Sequence, residues 1–180
     1  MSAELPDAAA AGSARQLREQ FDRSFALAPT LPAAGSVKLL TIRSGGERYA
    51  IRLADVRGLY ADRRILALPG PMPELLGVTS FRGQIVPVYQ LAALLGHPAG
   101  AAPRWLVLVQ ASAPLAFAFE AFEAHICASA AQLIASADGD GRARPCEAVH
   151  TDGGALPVLA IGELVAQIEQ RAAPRQGRAP

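Results

Sequence analysis

Apolar and polar residues alternate with period two over most of the chain, and helical periodicity is confined to short segments. Arg48 to Leu53 sets the pattern, with Tyr49, Ile51 and Leu53 on one side and Arg48 and Arg52 on the other, as in a half-buried strand. Val37 to Arg43 reads as the strand before it, and Ser44-Gly45-Gly46-Glu47 as the hairpin turn between them. Val56 to Tyr60 and Ile65 to Leu68 read as further short strands, and Pro69-Gly70-Pro71-Met72-Pro73 as a rigid connection. The stretch Leu76 to Gly96 then predicts a strand, a corner at Arg82-Gly83, a second strand and a short helix carrying Leu91, Leu94 and Leu95. Gly96 and Pro98 supply its stop signal. Pro87 has no N–H, so its strand is expected at a sheet edge or bent there.

After Pro103 the pattern restarts. Trp105 to Val109 predicts a strand, Ala111 to Pro114 a turn, and Leu115, Phe117 and Phe119 alternate with Ala116 and Ala118. Ala128 to Ala137 is ambiguous between helix and loop, and Asp138-Gly139-Asp140-Gly141 reads as a loop. Glu147 to Thr151 and Ala155 to Leu159 frame a turn at Asp152-Gly153-Gly154, and Leu164, Val165 and Ile168 line one face of a terminal helix. At the N-terminus, Ser13 and Gln16 fit a capping box ahead of Leu17, Phe21 and Phe25 at helical spacing.

The restart is an internal repeat. At an offset of 66 residues, Leu39 falls on Trp105, Ile42 on Leu108, Ile51 on Phe117, Val56 on Phe122 and Tyr60 on Ile126, with no gap. At an offset of 70, Val86-Pro87-Val88-Tyr89 falls on Leu156-Pro157-Val158-Leu159. The expected organisation is an N-terminal extension over residues 1–36 (a disordered tail, then a helix at about 14–25), a domain over 37–171 and a flexible tail over 172–180. The two copies predict a mainly β fold of two small barrels packed side by side, the first at about 37–98 and the second at about 103–171.

Composition agrees with a packed core: 51% of the 180 residues are hydrophobic. A net charge of +1 gives no global field for nucleic acid or an anionic membrane surface. No signal peptide or membrane span is read, which places the chain in the cytoplasm as a protein without direct membrane insertion. Cys127 and Cys146 have no metal-type spacing and read as reduced small hydrophobes. His97 and His150 read as solvated loop residues, and His125 as a packed neighbour. No nucleophile elbow or phosphate loop occurs. Asp138 to Gly141 lacks the ligands of a calcium loop, because Arg142 and Val149 stand where oxygen donors are needed. No catalytic residue, metal or cofactor is therefore expected, and a hydrolase reading is disfavoured. The charge balance also disfavours an SH3-like nucleic-acid binder.

Gly77-Val78-Thr79-Ser80-Phe81-Arg82-Gly83-Gln84-Ile85-Val86-Pro87-Val88-Tyr89-Gln90-Leu91, with the Gly45 to Ile51 hairpin and the Leu68-Pro69-Gly70 connection, resembles the CheW family of adaptor domains. The likeness runs from about Val37 to Gln170. It implies two SH3-like five-stranded barrels, possession of no enzymatic activity, and bridging between a chemoreceptor cytoplasmic tip and the regulatory domain of a CheA-type histidine kinase. The family's arginine carries onto Arg82, which either meets a partner carboxylate or is a solvated turn charge. Phe81 and Phe122 are expected beside partner surfaces. Val56-Arg57-Gly58 stands where the family usually has Val-x-Glu, and Gln90 where it has Asp. Glu120 is expected either as a partner contact or as a solvated strand-end charge. Gly45, Gly46, Gly77, Gly83 and Pro87 are read as turn positions set by backbone demands. A second reading of the same resemblance is a regulatory module of a motility or pilus pathway that binds partner proteins outside a receptor array.

Overall fold

The computed structural model describes residues 36–172, except 70, 71, 99, 100, 110, 112, 136–146 and 152. The expected N-terminal helix, the tail and Cys146 lie outside the described residues. The elements are β1 (Val37–Ser44), β2 (Glu47–Arg52), a 3-10 turn (Leu53–Asp55), β3 (Val56–Ala61), β4 (Leu75–Phe81), β5 (Gln84–Gln90) and α1 (Leu91–Leu94). They continue as β6 (Trp105–Val109), β7 (Ala116–Phe119), β8 (Ala121–Ala128), a second 3-10 turn (Ala130–Gln132), β9 (Leu133–Ala135), β10 (Glu147–Thr151), β11 (Gly154–Leu159) and α2 (Ile161–Ala172).

The strands form two sheets, and neither sheet belongs to one repeat. The six-stranded sheet runs β8-β1-β2-β11-β10-β9 and the five-stranded sheet β3-β6-β7-β5-β4. This corrects the expected division into a barrel over 37–98 and another over 103–171. Each sheet takes the opening hairpin of the other repeat: β1–β2 lies between β8 and β11, and β6–β7 lies between β3 and β5. The chain changes sheets at two places, the Leu53–Asp55 turn and the junction at Glu120.

The two insertions share one register. Ala50 and Ile51 of β2 pair in parallel with Val158 and Leu159 of β11. Ala116 and Phe117 of β7 pair in parallel with Val88 and Tyr89 of β5, the positions that the offsets of 66 and 70 relate. Both outer ladders also carry a bulge at one equivalent place, between Val56 and Gly58 on β3 and at Glu123, opposite Thr41/Ile42, on β8. The offset slips by one residue before the hairpin turn. Leu40 pairs with Ile51 and Val107 with Phe117, so Leu39 corresponds to Leu106 and not to Trp105. A one-residue slip reverses faces. Accordingly Leu39 and Leu106 are both buried, whereas Trp105 lies half-buried beside the seam.

Pro87 explains where the parallel ladders stop. Sheet order puts β5 inside the sheet, between β7 and β4, so the expectation of an edge strand fails. Pro87 pairs with Val78, and Pro157 with Ala148, at positions whose missing N–H faces the inserted hairpin. Without that donor the parallel ladders begin only at Val88 and Val158.

The main core is the seam between the sheets. Ile42 and Ile51 meet Val107, Phe117 and Phe119 there, and Leu91, Leu94, Leu164 and Ile168 of the two helices close over them. Each such side chain contributes roughly 1.5–3 kcal/mol of burial. Two smaller cores lie on the other faces: Leu39, Ala50, Val149 and Val158 in one sheet, and Phe81, Val86, Val88 and Leu106 in the other. With both faces covered, all four residues of β7 are buried, although the sequence alternates large and small.

Several local expectations change. Leu53 leaves the strand for the 3-10 turn. Ile65 to Leu68 is no strand but a strap with one isolated bridge, Leu66 to Val78. The ambiguous Ala-rich segment contains the second 3-10 turn, whose capping box joins Ser129 and Gln132, followed by β9. Gly77 is a strand residue and not a turn. Its φ is +144°, and a Cβ there would stand 2.0 Å from the Leu66 carbonyl oxygen. Gly77→Ala should therefore cost about 3 kcal/mol through strain and displacement of the strap. Thermal denaturation checks this; an unchanged Tm would contradict the close approach.

Candidate functional site

The sequence residues fall in two places. The first is the β4–β5 corner. Arg82 and Gly83 both have positive φ, +49° and +82°, as a two-residue hairpin turn of the primed type requires. Gly83 takes this freely, but for Arg82 the left-handed region costs about 1–2 kcal/mol. The strained turn holds an exposed guanidinium at the hairpin tip. Phe81, next to it, is buried, and its ring lies 4.5 Å from that of Tyr60. The Arg63 guanidinium sits over both rings, at 5.3 and 5.6 Å. Gly58 belongs here too: a Cβ on it would meet the Tyr60 ring at 2.8 Å. Glycine at this position leaves the space to the tyrosine ring.

The strap beside this corner is fastened to β4 by three bonds. The Thr79 hydroxyl donates to the Arg64 carbonyl at 2.8 Å, the Leu66 N–H to the Val78 carbonyl at 2.8 Å, and the Val78 N–H to the Leu66 carbonyl at 2.9 Å. Between strap and hairpin lies an open hollow of about 410 Å³. Leu66 and Ile85 line it while remaining 61% and 73% exposed. Sequence reading did not single out the hollow, because an exposed apolar residue on a strand looks like a core residue until its face is known.

The second place is the β1–β2 turn. Glu120 accepts from the Gly45 and Gly46 N–H groups at 2.9 and 3.4 Å, and its own N–H donates to the Arg43 carbonyl at 3.1 Å. Glu120 is therefore not simply a solvated strand-end charge: it caps a turn at the point where the chain changes sheets. Glu123, the bulged residue next along, accepts from Arg43 at 2.8 Å and from Arg48 at 2.7 Å. The Arg43 hydrogen bond, with further help from Arg48, holds its carboxyl below the usual range, against the opposing effect of desolvation. Phe122 packs on Trp105, with ring centroids 5.6 Å apart, and both border the seam, as Val56 does. Arg57 is exposed at the β3 bulge.

The histidine readings also change. His97 is half-buried, and its Nε2 lies 2.6 Å from the Tyr49 hydroxyl. Burial pushes that hydroxyl above its ordinary value, with Glu47 adding to the effect. The His97 side chain lies against Gly45, where a Cβ would come within 2.6 Å of the His97 Cβ and 2.7 Å of the ring. His125 is exposed on β8 rather than packed, and Cys127 on the same strand is a free, exposed thiol. Among the described residues no group of three or more His, Cys, Asp or Glu could hold a metal ion. No described helix is long and apolar enough to cross a membrane.

The two swapped hairpins and the Arg82 corner are the features against which relatives can be weighed. The family model described as the CheW-like domain matches residues 38–169, which takes in both sheets and both helices. The chain belongs to the CheW-like domain family. A probable chemotaxis protein CheW from Rhizobium etli is 30% identical over 76 residues, which is 42% of this chain. That match spans about half the length of the curated relative, 49%. The crystal structure of the scaffolding protein TtCheW from Thermoanaerobacter tengcongensis aligns at a TM-score of 0.62 with 17% identity, over 68% of this chain and 88% of that one. At that identity the likeness concerns the CheW-like fold.

Glu123 gives a pH test. Its carboxyl binds its proton less readily in the folded chain than in the unfolded one, so this contribution is present above the ordinary Glu pKa and is lost as pH falls through the lowered folded value. Glu123→Gln should flatten the acid limb of stability between pH of about 5 and 3. Urea unfolding across that window checks it; identical limbs for variant and parent would contradict the pairing.

Proposed function

We propose that the chain is a non-catalytic scaffold of chemosensory signalling, which joins a chemoreceptor cytoplasmic tip to the regulatory domain of a CheA-type histidine kinase. What carries the reading is Arg82, held in a left-handed turn that glycine or asparagine would adopt at lower cost. Strain of this kind persists where the side chain at that point serves a purpose. A guanidinium fixed at a hairpin tip offers a planar fork to a partner carboxylate. The names of the two relatives, a chemotaxis protein and a scaffolding protein, agree with that role.

In this reading each sheet closes as an SH3-like barrel, and the kinase domain docks on the five-stranded sheet around Phe81 and Gly58. The receptor tip, a helix, lies in the groove along the seam, near Val56, Arg57 and Phe122, and also engages Arg82 at the β4–β5 corner. The N-terminal extension supplies a second docking surface, and the protein works in the cytoplasm. Glu120 contributes by shaping the β1–β2 turn.

Isothermal titration against a kinase regulatory domain and a receptor tip tests the proposal. Both should bind at tens of micromolar or better, and Arg82→Ala should weaken receptor binding about tenfold while leaving the β-type circular dichroism spectrum intact. Binding of neither partner would overturn the reading. Loss of the spectrum in Arg82→Ala would make Arg82 a folding residue.

A further inference from the structure

We propose that the hollow between the strap and the β4–β5 hairpin docks a partner protein through an apolar side chain flanked by carboxylates. The inference rests on the scaffold reading and names the chemistry by which one partner is recognised. The hollow is bordered by Arg63, Arg64, Leu66, Val78, Thr79 and Ile85. Exposed leucines and isoleucines scattered singly need no explanation. Here two of them face one hollow whose charged lining among the described residues is two arginines and no carboxylate. An apolar floor with a purely cationic rim is complementary to an apolar anchor carrying acidic neighbours.

The surface is also preformed. The three strap bonds fix the backbone, and the aromatic pair beneath Arg63 fixes that guanidinium. Little ordering entropy then opposes docking. A second copy of the chain fits poorly, because a two-fold contact would set the same arginines against each other. Nucleic acid fits poorly too: it needs a row of phosphate contacts, and this surface is mainly apolar. Another cleft, about 420 Å³ between the starts of β2 and β11, is different. Its arginines, Arg43 and Arg48, are already engaged by Glu123.

The test uses the full chain with 13C-labelled isoleucine methyl groups and two synthetic helical peptides. One carries a central leucine pair flanked by glutamates; the other has lysines in their place. The glutamate peptide should shift the Ile85 methyl signal saturably, and more weakly as salt rises. The lysine peptide should bind about tenfold or more less tightly. Leu66→Ser with Ile85→Ser should abolish binding of the glutamate peptide measured by isothermal titration, and Arg63→Gln with Arg64→Gln should bring the two peptides to equal affinity. Both pairs alter exposed side chains, and circular dichroism confirms that the fold is kept. Equal binding of the two peptides by the parent chain, or saturation without movement of the Ile85 signal, would overturn the proposal. So would no response to the glutamate peptide. The serine double variant is also titrated with the kinase regulatory domain and the receptor tip. Undiminished affinity for both would overturn the hollow as the docking site and leave the scaffold reading standing. A parent chain that takes the acidic peptide but neither partner domain would do the reverse.

Discussion

The structure depends on two hairpins, each lodged in the sheet of the other repeat. β1–β2 completes a sheet otherwise built from β8 to β11, and β6–β7 completes one otherwise built from β3 to β5. Neither repeat can satisfy its strand edges or cover its apolar faces alone, because its central pair of strands is elsewhere. The seam core follows from this, since Ile51 and Phe117, at equivalent positions of the exchanged hairpins, both lie in it fully buried. Prolines at equivalent positions then limit how far each hairpin is zipped to its host.

The exchange also places the surfaces. Because β3 stands at the outside of one sheet and β8 at the outside of the other, their bulges bring Arg57 and Glu123 to corresponding exposed and semi-exposed positions. The two positions have diverged in chemistry. Glu123 is spent on Arg43 and Arg48, stapling the exchanged hairpin to its neighbour. In the five-stranded sheet the corresponding region carries half-buried Gly58 and Tyr60 over the buried Phe81 ring, with the exposed strap arginines turned outward. One copy of the repeat thus secures the exchange, and the other presents the apolar, cationic surface.

Much of this was legible in the sequence, and the failures have a common cause. Period-two alternation located the strands, and the Gly45-Gly46 and Arg82-Gly83 corners located the turns. The repeat offsets matched Ala50 with Ala116 and Val88 with Val158, the positions at which the two parallel ladders form. Alternation states which face a residue takes, not which strand lies alongside, so the hairpin exchange was invisible, as was the interior position of Pro87. Trp105 was matched to Leu39 because the gap that separates them lies in a turn, where the pattern carries no information. His97 was misread for a related reason: its partner, Tyr49, is 48 residues away in sequence, and the turn that Glu120 caps lies 75 residues from it. At the candidate site Arg82 was found through a motif, whereas the hollow bordered by Leu66 and Ile85 needed the strap to be seen lying on β4.

Native-state hydrogen exchange of the full chain tests the exchanged architecture most directly. If each hairpin is locked into the other repeat, the slowest amides of β2 and β5, from the first copy, and of β7 and β11, from the second, open only together. They should report one common free energy, equal to that of global unfolding. Two separate values, one for residues 37–98 and another for 103–171, would mean that the repeats open independently and would contradict the account.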